Sequence, residues 1–191
     1  MAHISIIGTG NMGQAISSVV TRGGNTAELL GRADADKPVT GDIVVLAVPY
    51  PAIDQVLAER AEQLKGKIVV DITNPVNFET FDSLTVPADS SATAEIAGKL
   101  RGSRVLKAFN TTFAGTLAAG TVGPLTTTVL VAGDDADAKA TLIDVIRAAG
   151  LQAIDAGALK RARELEALGF LQISLAANEK VSWTGGFGVV A

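Results

Sequence analysis

Several short runs of this chain are apolar at nearly every position instead of every second one: His3–Ile7, Thr26–Leu30, Asp42–Val48, Lys67–Ile72, Arg104–Phe109, Thr126–Ala132 and Leu151–Asp155. Strands with two apolar faces must be covered on both sides, which is the habit of a parallel sheet between layers of helices. The intervening segments supply those layers, because helical periodicity runs over Met12–Arg22, Ala52–Leu64, Thr93–Leu100, Asp135–Ala148 and Ala158–Ala177. Gly23, Gly66 and Gly150 close the first, second and fourth of these helices, and Asp134 is expected to cap the start of the fourth. The alternation predicts an α/β fold, a doubly wound, mostly parallel sheet. Between the second and third strands only "GRADADKPVTG" remains, too short for a regular helix, so the second crossover is shortened to a loop or one turn. Residues 1–155 are expected to form the nucleotide-type domain, and 156–191 a small helical or extended C-terminal addition packed on it. The irregular stretch Asn74–Ser91 exceeds ordinary loop length, which suggests a functional role.

Composition removes whole classes of chemistry. The 191 residues suffice for one well-buried core, and 48% hydrophobic with 19% charged residues is ordinary globular usage. With net charge −4 and scattered Lys and Arg, no nucleic-acid or anionic-membrane surface is expected. Apolar runs such as "IVVLAV" fall short of the roughly 18 residues a membrane helix needs, and the start does not resemble a signal peptide. A cytoplasmic protein is the expectation. The absence of cysteine excludes disulfides, thiolate catalysis and cysteine-bound metals. His3 is the single histidine and sits in a strand, where a structural role is expected; Ser-His-Asp hydrolysis and histidine-ligated zinc are thereby disfavoured.

Within this frame "GTGNMG", Gly8 to Gly13, meets every condition of a pyrophosphate-binding turn. It follows a buried strand, opens an amphipathic helix, and a second strand comes within thirty residues. Gly8 would allow the tight turn, Gly10 the approach of a pyrophosphate, and Gly13 close packing of helix on strand, while the helix N-terminus offers N–H groups to phosphate. The residue after the second strand separates NAD from NADP, since an acidic side chain there holds a ribose hydroxyl and a basic one pairs with a 2′-phosphate. Arg32 stands at that place and favours NADP(H) through charge-assisted contacts. The competing assignment leaves Arg32 in solvent and gives the ribose to Asp34.

Three further segments lie at strand ends, where such folds carry chemistry: "AVPY" with Val48 and Pro49, "DITNPVN" with Asn74 and Pro75, and "KAFNTTF" with Asn110 and Thr111. Their amide and hydroxyl groups suit a nicotinamide ring. Reduction of a carbonyl needs a proton donor, yet Tyr50 is the only tyrosine and no Tyr-x-x-x-Lys pair exists. Hydride transfer to a flavin-like ring asks mainly for two rings oriented in a dry pocket. Trp183 and Phe187, with Phe109, Phe113 and Phe170, are candidate walls, and core packing is the competing role for each. The catalytic list is accordingly empty, with Asn110 and Thr111 as orienting candidates.

The ordered set "GTGNMG", "GR", "AVPY", "DITNPV", "KAFNTTFA", "VAGDDADAK" and "DAGALKRARELEALG" resembles the NADP-dependent coenzyme F420 oxidoreductase family, whose members carry hydride between NADP(H) and a deazaflavin. The resemblance implies that Gly8, Thr9, Gly10, Asn11, Met12 and Gly13 hold the pyrophosphate region and that Thr9 and Arg32 face the 2′-phosphate. It also implies that Pro49, Asn74, Pro75, Asn110 and Thr111 lie near the nicotinamide. The segment after Arg32 is shorter than in the family, and archaeal members carry histidine where Asn110 stands. A related module in six-transmembrane metalloreductases passes hydride to an ordinary flavin, so F420, FMN, FAD and a quinone-like acceptor all remain open. The opening also resembles pyrroline-5-carboxylate reductase, which needs a larger helical second domain, and a non-catalytic NADP(H)-binding redox sensor is the alternative of a different class. The helix 158–177 suits either a homodimer interface or packing on the sheet.

Overall fold

A computed structural model describes residues 1–190, so the C-terminal segment 156–191 is covered except for Ala191, which lies outside the described residues. Its main sheet contains β1 (His3–Ile7), β2 (Thr26–Leu30), β3 (Ile43–Leu46), β4 (Ile68–Asp71), β5 (Arg104–Lys107), β8 (Thr128–Gly133) and β9 (Gln152–Gly157) in the order β2-β1-β3-β4-β5-β8-β9. The first five strands run parallel, β8 pairs antiparallel with β5, and β9 runs parallel to β8. This is the doubly wound, mostly parallel Rossmann arrangement expected from the sequence.

Alternate strand residues feed two cores. Ile43, Val45, Ile68, Val70 and Leu106 pack with Ile16, Val19 and Val20 of α1 (Asn11–Arg22) and Leu142 and Ile146 of α5 (Ala136–Ala148). Val44, Leu46, Val69 and Val105 point the other way, onto Leu57 and Leu64 of α2 (Ile53–Leu64) and Ile96 of α3 (Ala92–Lys99). Burial on both faces explains why these strands are continuous apolar runs.

The antiparallel step and three small elements were not foreseen from the sequence. After β5 the chain forms α4 (Ala114–Ala119) and the hairpin of β6 (Thr121–Val122) with β7 (Leu125–Thr126). This segment is spent on a six-residue helix and a hairpin instead of one crossover helix along the sheet, and β8 pairs antiparallel with β5. A second difference concerns the helix cap. Asp135, not Asp134, caps α5 by accepting from Ala138 N at 2.7 Å, whereas Asp134 accepts from Leu159 N at 2.9 Å. Two adjacent aspartates are equivalent in sequence, and the position of the 3-10 turn Leu159–Arg161 separates them.

The shortened second crossover is a 3-10 turn at Arg32–Asp34 followed by loop. Arg60 of α2 holds that loop, donating to Lys37 O at 2.9 Å and Asp34 O at 2.5 Å. The last helix, α6 (Ala162–Ala177), is anchored by a buried ion cluster. Lys107 donates to Asp71 at 2.8 Å and Glu166 at 2.9 Å, and Glu166 also accepts from the backbone N–H groups of Ala92 and Thr93 at the start of α3. The cluster thus joins β4, β5, α3 and α6 at the C-terminal edge of the sheet.

Candidate functional site

The glycine turn has the geometry its residues suggest. Gly8 has φ +126°, and a side chain there would meet Ala47 O at 2.1 Å. At Gly13 a Cβ would lie 2.1 Å from Gly8 O, so the helix rests directly on the turn. Gly10 differs, since nothing lies within 4 Å of its would-be Cβ. Close packing therefore demands glycine at Gly8 and Gly13, while Gly10 faces open space. No side chain caps the start of α1, which leaves its first N–H groups free for a phosphate.

A cavity lies on each side of this turn. The first, about 390 Å³, is lined by Gly8, Thr9, Gly10, Gly31, Arg32, Val48, Pro49, Ala52, Gln55, Glu59 and Arg60 among others. The second, about 460 Å³, takes over at Asn11 and Met12 and continues through Asn74, Phe78, Phe109, Asn110, Thr112, Phe113, Ile173 and Trp183. An extended dinucleotide laid over the turn would have one end in each, as expected at a topological switch point.

In the first cavity Arg32 is exposed and makes no hydrogen bond or ion pair among the described residues. Asp34 is already engaged, accepting from Gly31 N at 2.8 Å and pairing with Lys37 at 2.7 Å. Lys37, then the Gly31 N–H, hold its carboxyl below the usual aspartate range. The competition between Arg32 and Asp34 left open by the sequence is thus tilted by geometry, with one free cation and one occupied anion. Thr9 lies beside them, its Oγ1 3.8 Å from the would-be Cβ of Gly31.

The strand-end residues separate. Val48 and Pro49 line the first cavity with Arg32, not the second, because β3 runs into the turn Tyr50–Ala52 beside α2. Asn74 and Asn110 line the second cavity together and interlock: Asn110 Nδ2 donates to Asn74 Oδ1 at 2.9 Å, and Asn74 Nδ2 to Asn110 O at 2.8 Å. Pro75 is buried, with its carbonyl accepting from Thr85, and Thr111 faces a small pocket shared with Thr116 and Gln172. Neither lines the cavity; Thr112 does.

Of the aromatic walls, Trp183, Phe109 and Phe113 border the second cavity, the indole and the Phe113 ring packing at 5.0 Å between centroids. Phe187 sits elsewhere, its N–H donating to Gln172 at 3.1 Å, and Phe170 is not part of the lining. Phe78, overlooked in the sequence, completes the wall. Its loop is held to α6 by Ser174 Oγ donating to Phe81 O at 3.1 Å, so the long stretch Asn74–Ser91 contributes through this ring. Arg60, Gln55 and Glu59 were also missed, since on α2 they read as ordinary surface polar residues.

No lining residue of the second cavity titrates. Tyr50 donates to Glu95 at 2.6 Å, and burial together with that carboxylate drives its phenol well above the ordinary tyrosine value. The cavity can therefore stack, orient and keep water from flat rings, without moving protons through its own side chains.

Sheet order and glycine turn together define the Rossmann class of dinucleotide-binding folds. Residues 25–75 match the family described as NADP oxidoreductase, coenzyme F420-dependent. The F420-dependent NADP reductase of Methanocaldococcus jannaschii is 32% identical over 171 residues, 87% of this chain and 76% of the relative. That of Methanothermobacter marburgensis is 30% identical over 81% of this chain and 71% of the relative. The chain belongs to this family of NADP-dependent oxidoreductases. Metalloreductase STEAP3 of Rattus norvegicus is 37% identical over 112 residues, 59% of this chain but 22% of that protein. Among solved structures, one from Arthrobacter sp. FB24 covers 100% of both chains with TM-score 0.87 at 24% identity, which speaks for the fold.

Proposed function

We propose that this enzyme moves hydride between NADP(H) and a deazaflavin of the F420 type, whose ring stacks in the second cavity. The observation that carries the reading is that this cavity is aromatic and amide-lined, holds no acid or base, and adjoins the phosphate turn. NADPH supplies the hydride from its nicotinamide ring when bound. The chain supplies placement. Gly8, Thr9, Gly10, Asn11, Met12 and Gly13 hold the pyrophosphate, Thr9 and Arg32 the 2′-phosphate, and Val48 and Pro49 the adenosine side. Asn74 and Asn110 bound the nicotinamide side, and Phe78, Phe109, Phe113 and Trp183 exclude water from the reacting faces. Residues 1–155 carry the nucleotide, and 156–190 close the acceptor side through α6 and Trp183. The partner is a small-molecule acceptor, with no role for nucleic acid or membrane. No helix among the described residues is long and apolar enough to cross a membrane.

The experiment is anaerobic oxidation of NADPH by the purified protein with F420, FMN, FAD and a quinone offered separately, and NADH run beside each. Turnover with F420 and NADPH well above every other pairing is the expected result. Preference for FMN or FAD would replace deazaflavin by flavin, and tight NADPH binding without turnover on any acceptor would make the protein a redox sensor.

A further inference from the structure

The first cavity carries a charge that a site for phosphates does not need. Glu59 is the single carboxylate among its described lining residues, and it makes no ion pair among the described residues. Arg60 beside it is turned away, its guanidinium committed to Lys37 O and Asp34 O. A bare carboxylate repels phosphate, so Glu59 opposes nucleotide binding unless another part of the ligand offers it a donor.

Hydrogen bonding on α2 shows what kind of donor would suit. Gln55 lies one turn before Glu59, and its Nε2 donates to Glu59 Oε1 at 2.9 Å. That bond fixes the orientation of the Gln55 amide, because turning it over would set oxygen against oxygen. Gln55 Oε1 and Glu59 Oε2 have no hydrogen-bond partner among the described residues. Both side chains are exposed and line the cavity, so a ligand has access to them. The pair therefore presents acceptors and no free donor except the second Gln55 N–H. Val48, Pro49, Ala52 and Val56 of the same cavity give an apolar wall for a flat ring.

We propose that Gln55 and Glu59 select adenine as the base of the bound nucleotide by accepting hydrogen bonds from its exocyclic amino group. This rests on the NADP(H) reading above, which brings the adenosine end to this cavity. Adenine carries an amino group where hypoxanthine carries a carbonyl oxygen, so the two acceptors meet donors in the first base and another acceptor in the second.

Titration calorimetry of NADP⁺ against nicotinamide hypoxanthine dinucleotide phosphate, which differs in the base alone, tests the assignment. Wild type should bind the hypoxanthine form roughly fivefold more weakly. In the double variant Gln55→Ala, Glu59→Ala the ratio should fall to within about twofold. In Glu59→Lys, where an ammonium replaces the acceptor, the preference should turn toward hypoxanthine. Both positions are exposed on α2, and melting temperatures followed in parallel confirm that the variants are folded. Equal affinity of wild type for the two nucleotides overturns the proposal, and this arm depends on no variant. Discrimination that survives unchanged in the folded double variant also overturns it. Failure of NADP⁺ itself to bind wild type would instead remove the NADP(H) reading, and the proposal with it.

Discussion

At the scale of single residues, the three glycines of the turn separate fold from ligand. Gly10 borders open space and Gly13 touches backbone, so the same enlargement has opposite consequences at the two positions. Gly10→Val is expected to keep its melting temperature within a few degrees yet lose measurable NADPH binding. Gly13→Val is expected to lose both, because its Cβ cannot fit against Gly8 O. Calorimetry with nucleotide titration distinguishes them, and retained affinity in Gly10→Val would remove the phosphate from the turn. Arg32→Ala is expected to weaken NADPH binding about tenfold or more, the worth of one charge-assisted hydrogen bond, and to leave NADH within about twofold. Equal losses for both nucleotides would contradict a 2′-phosphate contact. The shape of the turn and the place of Arg32 on the cavity wall were legible because both are local, a turn and the residue after a strand. That Pro75 and Thr111 stand off the cavity while Thr112 lines it was not legible, because a strand end offers several neighbouring groups and only packing decides which one faces inward.

At the scale of elements, two long-range supports replace structure the chain lacks. Arg60 reaches from α2 to two carbonyls of the loop that takes the place of the second crossover helix. Arg60→Ala should therefore cost about 2 kcal/mol in urea unfolding, since it removes a buried side chain and leaves two partly buried carbonyls without their charged donor. NADPH affinity should fall with it, because the freed loop begins at Arg32. Unchanged affinity despite lower stability would show that Arg32 needs no such brace. The Lys107, Asp71 and Glu166 cluster braces α6 in the same sense. Glu166→Ala leaves a buried ammonium with one carboxylate fewer and the start of α3 without its acceptor, and a loss of about 3 to 5 kcal/mol is expected. A loss below about 1 kcal/mol would mean the cluster is not what anchors the helix. Helix and strand boundaries were nearly legible in sequence, but neither support was. Arg60 and Glu166 have the spacing of solvent-facing charges on amphipathic helices, and their partners lie distant along the chain.

At the scale of the whole molecule, acid stability reflects carboxyl groups whose ionised forms the fold favours. Glu28 is held below its usual range: burial opposes ionisation, but hydrogen bonds from Ser5 and Thr40 and the nearby His3 outweigh it. Asp155 is lowered chiefly by Lys139, and Asp34 and Glu164 lie in the same direction. A carboxyl with a depressed folded pKa contributes stability that is present above its unfolded value and lost as pH falls through the folded one. Stability should hold from neutrality down to roughly the ordinary values of 3.8 for Asp and 4.5 for Glu, then decline below them. Urea midpoints measured between pH 7 and pH 3 check the sign, and a midpoint that rises on acidification would refute it. Glu28→Gln should flatten part of that slope, since His3, Thr40 and Ser5 converge on this carboxylate at the edge of the sheet. His3 thereby belongs to a structural network in which its two ring nitrogens meet Thr26 and Thr40.

What the sequence determined by itself was whatever depends on neighbours along the chain: two-faced strands, the helices between them, a glycine turn at the first strand end and a cation at the second. The antiparallel return of β8, the burial of Arg60 and Glu166, the pairing of Asn74 with Asn110 and the arrival of Phe78 and Trp183 at one cavity were decided only in the tertiary structure. Each of these joins groups far apart in sequence. Such contacts form only when the whole chain has packed, because the burial and hydrogen bonding that favour them must offset the entropy of closing the intervening chain.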